Sequence, residues 1–486
     1  MSKTKILYKD VAPGADRDAK LTSLEHSDDS NLDLLPFGVE PRPVATLERN
    51  RWLLNGTFQL RETQKLAFWS SVLSDTEGSF GEYPPSITVT FSQQYSSTGI
   101  TVMFDRATGE YCSAINIKWF QGETLKADVD FTPDSTEYFC EQKVTSYDKL
   151  VLTFLKTAVP CRYAKVDHIV FGVWRTFGMS ELRSASVINE IDGIAETLPI
   201  STFKWTLDSR KNVDFMFQLK QPVEIYNDAN LLGVYYIDNH SRKTARIYNI
   251  DCYDAIGVMD ESPFPGGVYS EKSAKDLLAE IVGTDFDIIY ADDVDDMPLT
   301  GILRSGTRRS AIQQIAFAWG VCVATDGGAE VRVFNLDTVL REIGKEQTFS
   351  GVSIETASIV TEVCVTAHTY TEDASGDVDI GGVKYADTKT VYKVSNPDVT
   401  ANDKQNVKEF RDATLVSPSN AQQTAQRIYD WYLLRNTAKA NIVWKGESLG
   451  DFVSIPNTWG SANKGNITKM EIRLSNTVIA KCEAVG

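Results

Sequence analysis

Several things are scarce in this chain of 486 residues. It has no apolar run of about eighteen residues, so no membrane-spanning helix is expected. Its opening, MSKTKILYKDVAPGADRDAK, has no apolar core of the kind that directs secretion, and the expectation is a protein made in a cytoplasm. The cysteines are Cys112, Cys140, Cys161, Cys252, Cys322, Cys364 and Cys482. They are odd in number and form no CxxC pair. That pattern argues against a disulfide framework or a zinc site and for free, buried thiols. The histidines are His26, His168, His240 and His368, widely spaced and beside no nucleophile motif. No HExxH, GxSxG or Walker phrase occurs. The expectation is no catalytic residue, no cofactor-binding residue, no metal ligand set, and therefore no enzyme.

Positive charge is also in short supply. Lys and Arg total 49 against 66 Asp and Glu, a net −17. Such a surface opposes stable binding to nucleic acid or anionic lipid. An acidic wall lining a channel would let nucleic acid pass without sticking. What the chain has in quantity is β-type alternation. Its 42% hydrophobic and 24% charged residues are ordinary for a globular protein, and its length predicts three or four domains at about 150 residues each.

Residues 1–45 read as an extended N-terminal arm, polar and proline-punctuated, with Leu32, Leu34, Leu35 and Phe37 as anchors for a neighbour. Residues 46–178 alternate with period two: Ile87, Val89 and Phe91, then Ile100, Val102 and Phe104, then Ile115, Ile117 and Trp119, then Leu150, Leu152 and Phe154. Short strands at this spacing predict a β-sandwich. Thr98–Val102 and Tyr163–Gly172 resemble jelly-roll modules of the galactose-binding-like class. A new β-unit covers 179–262, with strands around Val187–Ile191, Leu198–Leu207, Val223–Tyr226, Val234–Ile237 and Ala245–Asp254, stopping at Ala255–Gly257.

Two short helices dominate 263–337. In the first, Ala274, Leu277, Leu278, Ile281 and Val282 share a face between Ser273 and Gly283. In the second, Ala311, Ile312, Ile315, Ala316 and Trp319 do so between Thr307 and Gly320. Val321–Ala324 and Glu330–Phe334, turned by Asp326-Gly327-Gly328, supply a sheet to cover them. Residues 338–486 read as a further β-unit with a helix near 417–436, which Ser417 caps and Pro418 opens.

The acids Asp276, Glu280, Asp285, Asp287, Asp292, Asp293, Asp295 and Asp296 form a run without a basic residue. It lacks the glycine and terminal glutamate of a calcium loop, and reads as a solvated or channel-facing surface. Arg304, Arg308 and Arg309 follow and are available to pair with it. Trp69, Phe80, Tyr83, Tyr95, Tyr111 and Trp119 make the sandwich aromatic. Exposed rings would suit a glycan, but sandwich aromatics are mostly core.

Three phrases in order carry a family resemblance: Ile250–Ile256 at a strand end, Gly267–Leu278 leading into a helix, and Leu449–Ile455 as a closing LGDxVxI turn. Over about residues 180–486 the chain resembles the baseplate hub or tail hub proteins of tailed phages and phage-like contractile particles, of the Gram-positive host type, with an added N-terminal β-sandwich. The resemblance implies a mainly β chain with an α+β insert: a jelly-roll-like sandwich (46–178), a first hub β-barrel (179–262), a two-helix α/β domain (263–337) and a second hub β-barrel (338–486). It implies a virion structural protein of the tail baseplate. The homotrimer would form a pseudo-sixfold ring that adapts a sixfold tail tube to a threefold spike or tip. Its partners would be the tail tube protein, the spike or tip protein and the baseplate arm proteins. The alternative is a carbohydrate-binding adhesin at the tail tip, holding host cell-wall glycan through the sandwich.

Overall fold

A computed structural model of the chain describes residues 4–12, 14–23, 44–45, 48, 60–61, 68–210, 215, 217–228, 230–325, 329–349, 351–400, 404–457, 459–474 and 478–486. The fold divides into two units: Tyr8–Arg175 with Asp214–Gln221, and Met1–Leu7 with Thr176–Val213 and Pro222–Gly486.

The smaller unit is built on one antiparallel sheet. Across it lie Phe68–Leu73, Tyr163–Val170, Ser86–Phe104, Glu137–Thr157, Cys112–Gln121 and Thr124–Phe131, with Lys20–Thr22 also paired to Ser86–Phe104. The period-two positions behave as the sequence predicts. Ile87, Val89, Ile115, Ile117, Trp119, Leu150, Leu152 and Phe154 are all buried. Two strands, of 19 and 21 residues, are too long for one flat layer. Their pairing slips between Thr90 and Gly99, and such irregularities bend a strand. Residues on both sides of the bend, Val89 and Val102 among them, enter the same core. A sandwich is thus made by folding one sheet over itself.

The expected arm needs correction where it is described. Thr4–Val11 is a strand, not irregular chain, and its Ile6 and Tyr8 are fully buried. Lys5-Ile6-Leu7-Tyr8-Lys9 alternates in the manner of a half-buried strand. Leu32, Leu34, Leu35 and Phe37 lie outside the described residues.

The larger unit carries a sheet in two halves. The first half runs, in spatial order, Gly172–Gly178, Thr4–Val11, Pro222–Asn227, Asn230–Arg242, Ile247–Tyr253, Thr202–Asp208, Leu182–Glu190. Thr176–Gly178 and Thr4–Leu7 are the parts of the first two strands that belong to this unit. The first and last of these seven strands are consecutive in the chain, with only 179–181 between them. Four Cα steps span at most about 15 Å, whereas the two edges of a flat seven-stranded sheet are roughly 29 Å apart. The half-sheet must therefore curl toward closure, as a barrel wall does. The second half continues from Leu182–Glu190 through Asn463–Arg473, Ile479–Val485, Asn436–Val443 and Ser353–Thr356, and Phe452–Ile455 pairs with Asn463–Arg473 off this path.

Between the halves in sequence lies a layered α/β part. The helices Ala274–Val282 and Arg308–Trp319 sit where the caps predict. The side chains of Ser273 and Thr307 accept from Asp276 N and Ser310 N, and Gly283 and Gly320 take positive φ. A third helix, Ala255–Asp260, stands where the sequence reading had the β-unit simply stop. Asp254 caps it, and at six residues it is too short to show a helical repeat. The helix expected near 417–436 spans Ala421–Leu433. Ser417-Pro418-Ser419-Asn420 forms a turn before it, closed by Ser417 N donating to Asn420 Oδ1 at 2.9 Å.

One core unites Leu277, Ile281, Ile312, Ile315, Val331 and Val333 with Val363, Val365, Leu415 and Ile428. The sheet of Glu362–Glu372, Val383–Ser395 and Val407–Phe410 thus packs with the helices, and the core crosses the 337/338 boundary drawn from sequence. At that crossing the Gly301 φ is +154°, and a Cβ there would sit 2.2 Å from the Thr414 carbonyl oxygen. Gly301→Ala should cost roughly 2–4 kcal/mol of unfolding free energy in urea titration; a change within experimental error would show that the two segments need not approach so closely.

Candidate functional site

The residues singled out in the sequence do not converge. His26 lies outside the described residues, while His168 and His240 are exposed on different strands. His368 is buried, with Nδ1 2.9 Å from Asp387 Oδ2 and Nε2 2.9 Å from the Arg411 carbonyl oxygen. Both ring nitrogens are engaged, so this His–Asp pair fastens two strands and has no nitrogen left for a substrate. Six of the seven thiols are buried and all are free. Burial pushes those of Cys140, Cys322 and Cys482 up to about 12, which keeps them protonated and inert.

The eight acids stand exposed along 276–296. Arg308 pairs with Asp285 at 2.7 Å, whereas Arg309 pairs at 3.4 Å with Asp260, which is not one of the eight. Among the described residues, no three His, Cys, Asp or Glu are placed to share a metal ion. Of the six sandwich aromatics only Tyr83 is well exposed, at 74%. Tyr95 and Trp119 are core, and Phe80 and Tyr111 pack against it.

Two features escaped the sequence reading. The first is Asp254, fully buried at the junction of strand, helix and α/β layer. Its carboxylate accepts from Thr325 Oγ1 at 2.7 Å, Gly257 N at 3.1 Å and Ser201 N at 3.2 Å. An Asp directly before a helical start is an N-cap signature and was the available signal. The second is a groove of about 700 Å³ beside helix Ala421–Leu433, lined by Val360, Asn396, Asn406, Tyr429, Tyr432 and Arg435 among others. Burial, with Glu196 and Asp192 nearby, pushes the Tyr432 hydroxyl up to about 12. Asn396 and Asn406 donate to the carbonyls of Val360 and Ile359 at 3.3 and 2.9 Å, holding the groove wall.

The sequence matches no protein-family model and no curated protein. Solved structures do resemble it. A tail protein from Neisseria meningitidis MC58 superposes at a TM-score of 0.48 and 11% identity, over 64% of this chain and 94% of its own. The 43 kDa tail protein of prophage MuSo2 from Shewanella oneidensis gives 0.44 at 10% identity, over 64% and 95%. Prophage tail protein gp18 from Listeria monocytogenes EGD-e gives 0.42 at 12% identity, over 63% and 91%. These are remote likenesses of part of the chain.

Burial pushes the Asp254 carboxyl up to about 6, against the opposing pull of its hydrogen bonds from Thr325, Gly257 and Ser201. A folded value above the ordinary 3.8 means that the folded state binds the proton more tightly than the unfolded one. The resulting stabilisation is complete below pH ~4 and is lost as pH rises through about 6. Asp254→Asn should remove this dependence. The stability difference between variant and wild type should move in the variant's favour from pH 4 to 7, by roughly 2–3 kcal/mol in denaturant melts. A difference that stays flat with pH would rule out the shift.

Proposed function

We propose that this chain is a structural hub of a phage-type tail or phage-like particle, working by assembly and not by catalysis. The observation that carries the reading is the two-halved sheet, with Leu182–Glu190 paired to Thr202–Asp208 on one side and to Asn463–Arg473 on the other. Each half is taken as one hub barrel, so one chain offers two comparable β surfaces at a fixed spacing. Three such chains around an axis would present a sixfold seat to a tube and a threefold one to a spike or tip.

The three phrases behind the family resemblance occupy positions that this architecture needs. Asp254, within Ile250–Ile256, caps the helix that ends the first meander. Gly267–Ser273 is a strand that delivers Ser273 as the cap of helix Ala274–Val282. Leu449 is fully buried, and Gly450 at φ +89° lets the turn pass over Phe334, where a Cβ would come within 2.6 Å of the ring. The acid surplus suits an assembly through which nucleic acid passes. The adhesin alternative draws less support, because five of the six sandwich aromatics are buried or half-buried.

The decisive measurement is an electron-microscopic reconstruction of the intact particle end. Three copies on the tail axis, with both sheet halves facing one ring of tube subunits, is the expected result. Another copy number, or a position away from the axis, would refute the hub role.

A further inference from the structure

Two arginines of the larger unit close helix ends in the same way, and only one of them pairs with a carboxylate as well. Arg308 donates to the Ile281 carbonyl at 2.6 Å and also pairs with Asp285 at 2.7 Å. Arg427, half-buried on helix Ala421–Leu433, donates to the carbonyls of Phe317 at 2.6 Å and Ile194 at 3.4 Å. Its guanidinium carbon stands 5.8 Å from the Phe317 ring. Among the described residues no Asp or Glu forms an ion pair with it. Asp192 is near enough to favour its charge, but the Asp192 oxygens accept from Ile194 N at 3.0 Å and Thr197 N at 2.9 Å.

Where Arg308 has Asp285, Arg427 has a pocket. It lines a space of about 260 Å³ whose other walls include Ile194, Leu336, Trp431 and Leu434. A guanidinium carries five N–H donors, and the two carbonyls leave some of them over. The helix end supplies only partial negative charge, roughly half a unit. A cation against apolar walls pairs with an anion more strongly than one in water, because the local dielectric is lower. The walls favour an anion that brings a hydrocarbon part with it. Asp430 also lines the pocket, exposed and accepting from Gln426 Nε2 at 2.8 Å, and its charge opposes an incoming anion.

We propose that this pocket binds a carboxylate carried on a short apolar stem, with Arg427 as its counter-ion. A planar guanidinium fork suits the two oxygens of a carboxylate. That chemistry belongs both to a small free acid and to an acidic side chain of a protein. The test titrates the full chain calorimetrically with sodium 4-methylvalerate, sodium acetate, neutral 4-methylvaleramide and N-acetylglutamate α-amide. Methylvalerate should bind saturably, acetate about tenfold or more weakly, and the neutral amide not measurably. Asp430→Asn, an exposed change, should tighten binding about twofold or more. Arg427→Met should abolish it. Arg427→Lys, which keeps a donor for the Phe317 carbonyl, should weaken it about tenfold. If Arg427→Met does not fold, Asp430→Asn and Arg427→Lys decide. Tighter binding of the glutamate probe than of methylvalerate assigns the pocket to a protein side chain, and the reverse order to a free acid. No saturable binding of either acid, equal binding of methylvalerate and its neutral amide, or an affinity that the Arg427 and Asp430 variants leave unchanged would overturn the proposal.

Discussion

One antiparallel seam holds the larger unit together. Leu182–Glu190 has both of its edges occupied, and its partner Asn463–Arg473 is distant in sequence, Glu190 and Lys469 being 279 residues apart. Five pairs, from Ser186↔Arg473 to Glu190↔Lys469, make two meanders into one sheet. Period two does the sorting: Val187 faces Ile472 and Asn189 faces Met470, all buried, while Glu190 and Lys469 form an ion pair at 2.7 Å. Asn189 would be a costly polar group in that position, but Tyr235 Oη donates to its Oδ1 at 2.9 Å. A one-residue slip would turn every one of these side chains to the wrong face. The seam therefore fixes register as well as adhesion.

Within the α/β part, helix ends are held by side chains from neighbouring helices. Helix Ala274–Val282 and helix Arg308–Trp319 carry no basic residue in their last turns. Each borrows an arginine instead. Arg308 donates to the carbonyls of Ile281, at 2.6 Å, and Val282, closing the first helix. Arg427, from helix Ala421–Leu433, donates to the Phe317 carbonyl at 2.6 Å, closing the second. A cation at a helix C-terminus meets both orphan carbonyls and the negative end of the macrodipole. Burial lowers the Arg427 pKa to about 10, which leaves the guanidinium charged at neutral pH. Asp254 does the complementary work at a helix N-terminus, and Gln313 reaches the Ala195 carbonyl at 2.7 Å. Helix polarity is thus converted into tertiary attachment.

What could be read from sequence was whatever local chemistry decides. Ser273, Thr307, Gly283 and Gly320 announced two helices because caps are short-range devices. The strands of the smaller unit were legible because one face of each enters a single core. The short helix after Asp254 was hidden, because a strand runs straight into it and six residues hold too little pattern. The strands of 362–410 were assigned to the wrong layer, since alternation tells which face is buried but not against what. The seam and the buried Glu48–Lys165 ion pair were invisible for the same reason. A carboxylate has no local signature when the residue that gives it meaning, Lys165, lies 117 positions away. Helix starts are a local property of the chain, whereas strand partners and buried ion pairs belong to the fold.

The seam also bears on why a hub would be made this way. A threefold object that seats a sixfold one needs two docking surfaces per chain, and their relative angle must be the same in every copy. Two β domains on a flexible linker would leave that angle free and would lose ordering entropy each time the ring closed. Backbone hydrogen bonds running without a break from one half to the other remove that freedom when the chain folds. The cost falls on folding, because a pairing that bridges residues 190 and 469 raises contact order, and high contact order slows folding. On the proposed reading, the long-range seam and the doubled symmetry are therefore consequences of the same mechanical requirement.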